Sequence, residues 1–170
     1  MLTLVIGGAG SGKSSFAEAF VCRLPGKRIY LATMLPRGGE AHARIEKHRI
    51  QRAHLGFETL EYGLKLAGAE LPVDANVLLE DLSNLLANEM YEPDGGGADA
   101  VRLGLSRLSA SCGNLTVVSN EVFSGGADYD AESLRYMRAL ADLNRDLAKR
   151  ADLVVEVVCG LPNILKGKLP

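Results

Sequence analysis

Residues Gly7 to Ser14 read GGAGSGKS, a full match to G-x-x-x-x-G-K-[ST], and the chemistry this spacing serves is the cradling of a nucleoside triphosphate. Gly7, Gly8, Gly10 and Gly12, with Ala9 and Ser11 between them, let successive backbone N–H groups turn inward around phosphate oxygens. Lys13 then reaches the β- and γ-oxygens. Ser14 offers the hydroxyl expected on Mg²⁺, and an acidic residue closing a nearby apolar strand supports such an ion. Glu80 and Asp81, which end the run VLLED, are the candidates. Neighbours on an extended strand point opposite ways, so one of the two faces the nucleotide. The other reads as a cap for a helix starting near Leu82.

A second group with chemical potential lies between residues 42 and 54, which hold all three histidines, His42, His48 and His54. On a helix over Glu40 to His54, a spacing of six rotates each histidine about 240° from the next, so they cannot share one metal. Arg44, His48 and Arg52 instead fall at i, i+4 and i+8 on one stripe, with Arg49 beside it. Guanidinium neighbours lower an imidazole pKa and keep it neutral at pH 7, while the same cations attract phosphate. His48 could thus hydrogen-bond a bound nucleotide or attack its phosphorus to form an N–P bond. With few apolar residues in the segment, the residues alone favour a third reading, a solvated face. His42 and His54 lie off the stripe and read as solvated.

The elements that must position these groups are short apolar runs alternating with helical stretches. Leu2–Ile6, Arg28–Thr33, Val77–Glu80, Leu115–Ser119 and Leu153–Val158 suit strands buried on both faces. Ser14–Leu24, Glu40–His54, Leu82–Met90, Ala98–Ser111 and Asp130–Arg150 have helical period. Phe57–Glu61 is left open as a short edge strand, and EPDGGGAD, ending at Asp99, is expected to be a mobile loop. Alternation of this kind predicts an α/β fold, a three-layer P-loop NTPase of RecA-like type with a mainly parallel sheet flanked by helices. Ligands bind at the carboxyl ends of such strands, which puts Gly7–Ser14, Thr33, Glu80, Asp81, Asn120 and Glu121 at the site.

The 170 residues, 47% of them hydrophobic, fit one domain over 1–170. A net charge of −2 argues against nucleic acid or anionic membrane as the main partner. Cys22, Cys112 and Cys159 have no CxxC spacing, so neither a zinc cage nor a disulfide framework is indicated, and a reducing cytoplasm is the simpler setting. No basic leader or roughly 20-residue apolar span is present, so stable membrane insertion is not expected.

The succession GGAGSGKS, YLAT at Tyr30–Thr33, RIEKHRIQR at Arg44–Arg52, TLE at Thr59–Glu61, LLED at Leu78–Asp81 and SNEV at Ser119–Val122 resembles the bifunctional adenosylcobinamide kinase/adenosylcobinamide-phosphate guanylyltransferases of cobalamin assembly. The similarity continues to GLP at Gly160–Pro162 and Lys166. It implies a homotrimer that phosphorylates adenosylcobinamide with ATP or GTP. It also implies transfer of GMP from GTP to the resulting phosphate through a guanylylated histidine, here His48. Implied nucleotide contacts are Gly7 to Ser14, Thr33, Met34, Leu35, Arg49, Ile50, Gln51, Arg52, Glu61 and Glu80, with Ser14 and Glu80 on Mg²⁺. This chain departs from the family pattern after Arg52, where Ala53 replaces a proline and Phe57 is the nearest aromatic. It departs again after Val122, where FSGG replaces a glycine and a proline-containing loop. Two other readings are a P-loop kinase of another small alcohol, with His48 only a phosphate contact, and a non-catalytic nucleotide-binding module.

Overall fold

A computed structural model describes residues 1–36, 50, 53–123, 125 and 128–170. The expected helix over Glu40–His54 lies outside them except for Ile50, which is helical and exposed, and a 3₁₀ turn at Ala53–Leu55.

The described elements are β1 (Leu2–Gly7), α1 (Lys13–Cys22), β2 (Arg28–Ala32), β3 (Phe57–Glu61), β4 (Asn76–Glu80), α2 (Leu82–Tyr91), α3 (Gly97–Ser111), β5 (Asn114–Asn120), α4 (Ala131–Arg150), β6 (Leu153–Val158) and β7 (Leu161–Lys166). They form one seven-stranded sheet in the order β3-β2-β4-β5-β1-β6-β7. Every pairing is parallel except β6 with β7. The open Phe57–Glu61 run is an edge strand, paired in register with β2 from Arg28↔Phe57 to Ala32↔Glu61.

The continuous apolar runs are explained by burial on both faces. On β4, Val77 and Leu79 join the layer under α2, α3 and α4, with Leu85, Leu105 and Leu143, while Leu78 joins Ala17, Phe20 and Val21 of α1 on the other side. Each side chain therefore leaves water whichever way the pleat turns it. The outer strands differ: β3 is half-exposed and β7 is exposed along its whole length. That exposure is why Leu161–Lys166 carries no buried-strand signal in sequence.

Polar groups fix where the helices start. Asp81 caps α2 by accepting from Asn84 N at 2.7 Å, and Asp130 caps α4 by accepting from Ser133 N at 2.6 Å. The EPDGGGAD segment is not a free loop, which corrects the sequence expectation. Glu89, buried in α2, accepts from Lys65 N at 2.6 Å and Gly96 N at 2.7 Å, and a Cβ on Gly95 would lie 2.2 Å from Glu89 O. Glycine here permits the chain to close onto the helix end.

Candidate active site

The phosphate loop leaves β1 and enters α1, and its shape follows from its glycines. Gly10 and Gly12 have φ of 70° and 91°, a region L side chains avoid. A Cβ on Gly12 would also approach Gly160 Cα to 3.1 Å, and one on Gly7 would sit 2.5 Å from Ser11 Oγ. The Gly160 contact comes from the β6–β7 turn, whose Gly160 N donates to Ser11 O at 2.8 Å. The loop is thus held by its own chain and by the hairpin beside it. No side chain caps α1, and its first turn holds no acidic residue, so its N–H groups and dipole favour an anion.

Within the loop, Lys13 is largely buried and Nζ donates to Gly8 O at 3.3 Å. Ser14 Oγ donates to Glu80 Oε1 at 2.6 Å. Because β5 separates β1 from β4, the end of β4 faces the loop across one intervening strand, and Glu80 reaches over that gap. Burial pushes its carboxyl up to about 7, opposed by the Ser14 hydrogen bond and by Lys13, with Asp81 adding to the rise. Glu80 Oε2 is buried and has no hydrogen-bond partner among the described residues. A desolvated carboxylate with one orphaned oxygen beside a serine hydroxyl is a hard-oxygen donor set of the kind Mg²⁺ takes. Asp81 turns to α2 instead, and burial raises its pKa as well. Of the two residues, Asp81 takes the helix-cap place read from the sequence, and Glu80 faces Ser14 of the phosphate loop.

Thr33 is fully buried, and every polar group it has is engaged. Its N–H donates to Glu80 O at 3.1 Å. Its hydroxyl lies 3.0 Å from Glu80 O and 2.8 Å from Asp81 O, and accepts from Asp81 N at 2.8 Å. Its carbonyl accepts from Asn88 Nδ2 at 2.8 Å, and that amide also donates to Gly63 O at 2.9 Å. Thr33 therefore fastens the end of β2 to the strand bearing Glu80. Met34 and Leu35 follow it, half-buried. Glu61 is exposed at the end of β3, four strand positions from β1, or roughly 19 Å at the usual spacing. It stands away from the phosphate cradle. Of the arginine stripe, Arg44, His48, Arg49, Gln51 and Arg52 lie outside the described residues, and His54 is exposed in the 3₁₀ turn.

Beyond the cradle lies a polar row in which Asn120 and Glu121 were expected from their place after a strand, whereas Ser83 and Tyr136 were not. Ser83 Oγ accepts from Asn120 N at 3.1 Å and Asn120 Nδ2 at 3.0 Å, and Tyr136 Oη donates to Ser83 O at 3.1 Å. Glu121 N donates to Gly7 O at 2.9 Å. These bonds join the end of β5 to the phosphate loop on one side and to α4 on the other. Polar residues inside the apolar run LSNLLANE were the available signal, since Ser83, Asn88 and Glu89 each bind a different loop.

Comparison with known proteins gives a consistent result. Residues 3–165 match the family model described as cobinamide kinase / cobinamide phosphate guanyltransferase. The chain is similar to the bifunctional adenosylcobalamin biosynthesis protein CobP of Pseudomonas aeruginosa, 34% identical over 173 residues that cover 99% of each. It is also 31% identical to the bifunctional adenosylcobalamin biosynthesis proteins CobU of Escherichia coli, over 179 residues, and Salmonella typhimurium, over 178. Each alignment covers 95% of this chain and 97% of the relative.

Proposed function

Because this chain belongs to the cobinamide kinase / cobinamide phosphate guanyltransferase family, we infer that it is a transferase with two activities on one substrate. It phosphorylates adenosylcobinamide and then moves GMP from GTP onto the new phosphate. The observation that carries this reading is the complete phosphate loop with Ser14 Oγ 2.6 Å from Glu80 Oε1, in a chain matched almost end to end by that family. One nucleotide-binding transferase domain over 1–170 is supported by a single sheet that takes strands from Leu2 to Lys166.

In the kinase step the substrate hydroxyl oxygen bonds to the γ-phosphorus of ATP or GTP. The bond to the β–γ bridging oxygen breaks, the nucleoside diphosphate leaves, and the hydroxyl proton is released. Lys13 and the loop N–H groups hold the β- and γ-oxygens in line and meet the charge that gathers there. In the guanylyl step a neutral His48 nitrogen bonds to the α-phosphorus of GTP and pyrophosphate departs. A phosphate oxygen of cobinamide phosphate then displaces the histidine and takes the GMP. Arg49 and Arg52 supply positive charge to the departing pyrophosphate, with Met34 and Leu35 beside the buried Thr33, Ile50, Gln51 and, at the nucleoside end away from the cradle, Glu61 as further nucleotide contacts. Ser14 and Glu80 would hold Mg²⁺, which when bound neutralises charge on the phosphate oxygens.

The homotrimer implied by the resemblance is supported by the β7 edge, where Val158, Leu161, Ile164 and Leu165 are exposed at 43% or more, an apolar margin suited to a second copy. Nucleoside triphosphate substrates and three free cysteines favour the cytoplasm. The test is GTP labelled in its α-phosphate. An acid-labile, base-stable protein adduct is expected, discharged by cobinamide phosphate and missing in His48→Ala. An undiminished adduct in that variant would refute the histidine step. Phosphorylation by γ-label with no α-label retained would leave only the kinase reading.

A further inference from the structure

A cavity of about 550 Å³ opens between α2, α4 and the segment after β5. Its walls are Ala87 and Tyr91 of α2, Val122 and Tyr129 of the segment after β5, and Tyr136 and Met137 of α4. Tyr91 and Tyr129, with Phe123 next to Val122 in sequence, are among the large apolar side chains left exposed. Among the described residues no lysine or arginine lines it, whereas Asp130 and Glu132 do. A triphosphate would be repelled there. Lys13, the cation of the phosphate loop, is not among its lining residues.

The cavity is nonetheless joined to the cradle by short links. Val122 follows Glu121, whose N–H binds Gly7 O of the loop. Tyr136 donates its phenol to Ser83 O, and Ser83 Oγ accepts from Asn120. Desolvation and the charge of Asp81 push the Tyr136 hydroxyl up to about 12, so it remains a neutral donor that fixes the wall. Tyr91 Oη donates to Glu132 O at 3.4 Å and ties α2 to α4 across the cavity.

We propose that this cavity seats part of the corrin ring of cobinamide, with the hydroxyl-bearing tail directed past Val122 towards the phosphate loop. The proposal rests on the transferase reading above. The chemistry is complementary in three respects. Aromatic and methionine side chains cover an extended ring face. The carboxylates accept from the amide N–H groups on its periphery. The cationic cobalt–corrin core meets negative rather than positive charge. A cavity of this size takes an edge of the macrocycle rather than all of it, which leaves the other face to solvent or a neighbouring subunit.

The test separates this assignment from the transferase reading by measuring three quantities on the full chain: cobinamide binding by the visible corrin spectrum, GTP binding, and the α-label adduct. Ala87→Trp fills the cavity from a half-buried helix position, and Tyr129→Ala removes a wall from an exposed one. Both are expected to weaken cobinamide binding by about tenfold or more while GTP affinity and adduct formation stay within about twofold. A wild-type protein that binds GTP but neither binds nor phosphorylates cobinamide would overturn the transferase reading itself. Wild-type turnover with unchanged cobinamide affinity in both variants would overturn the cavity assignment alone. If Ala87→Trp does not fold, the Tyr129→Ala result decides.

Discussion

Glu80→Gln should make the metal-free protein more stable at pH 8 while removing its activity. The carboxyl of Glu80 is pushed from 4.5 to about 7 by burial, so the folded state holds a proton that the unfolded chain has released. Between those values the folded state binds more protons than the unfolded state, and stability falls as pH rises. The loss is complete above pH 7 and absent below 4.5. The roughly 2.5 pH units between 4.5 and about 7, at about 1.4 kcal/mol each, give about 3.5 kcal/mol, or a melting change of roughly 7–14 °C in a chain this long. Glutamine keeps an acceptor for the Ser14 hydroxyl and carries no charge, so the variant escapes the penalty. Urea denaturation of both proteins at pH 5 and pH 8 in EDTA measures the effect. Between those two pH values the stability difference should move by about 2.5 kcal/mol in favour of the variant, and Mg²⁺ with nucleotide should return part of it to the wild type alone. Equal pH dependence in the two proteins would refute the claim that burial raises the Glu80 carboxyl.

Lys13→Ala removes one 3.3 Å hydrogen bond to Gly8 O and is expected to change stability by about 1 kcal/mol or less. Turnover should fall by about 10²–10³ or more, as when a charge-stabilising donor is lost; a radiolabel transfer assay beside a thermal melt distinguishes the two effects. Thr33→Val keeps shape but strands the Asp81 N–H and loosens the fastening of β2 to β4, at a cost of about 1–3 kcal/mol. Unchanged urea midpoints would show that the hydroxyl has no such role.

Central strands were legible because burial on both faces writes them as unbroken apolar runs: Leu2–Ile6 and Leu153–Val158 differ from the observed strands by at most one residue. The phosphate loop was legible because its glycines answer a backbone requirement that few other residues meet. Edge strands were harder. Phe57–Glu61 is half-exposed and Leu161–Lys166 wholly so, and an apolar pattern that no sheet face demands has no period to read. Glu80 and Asp81 were identified as a pair, yet their roles depended on which strand lies between β4 and β1, a matter of sheet order that neither residue encodes. Thr33 showed the same limit: its place at a strand end was visible, whereas its bonds to Glu80 and Asp81 arise from residues nearly fifty positions away.

The sheet order also bears on how the chain is made. β1 is synthesised first, yet both strands that flank it, β5 and β6, begin at Asn114 and Leu153. During translation the segment that carries the phosphate loop is therefore a bare apolar ribbon with two unsatisfied edges until most of the protein has left the ribosome. Such high contact order slows folding and exposes the nascent chain to aggregation, so yield from a fast expression host should depend on chaperone supply more than on the stability of the finished fold.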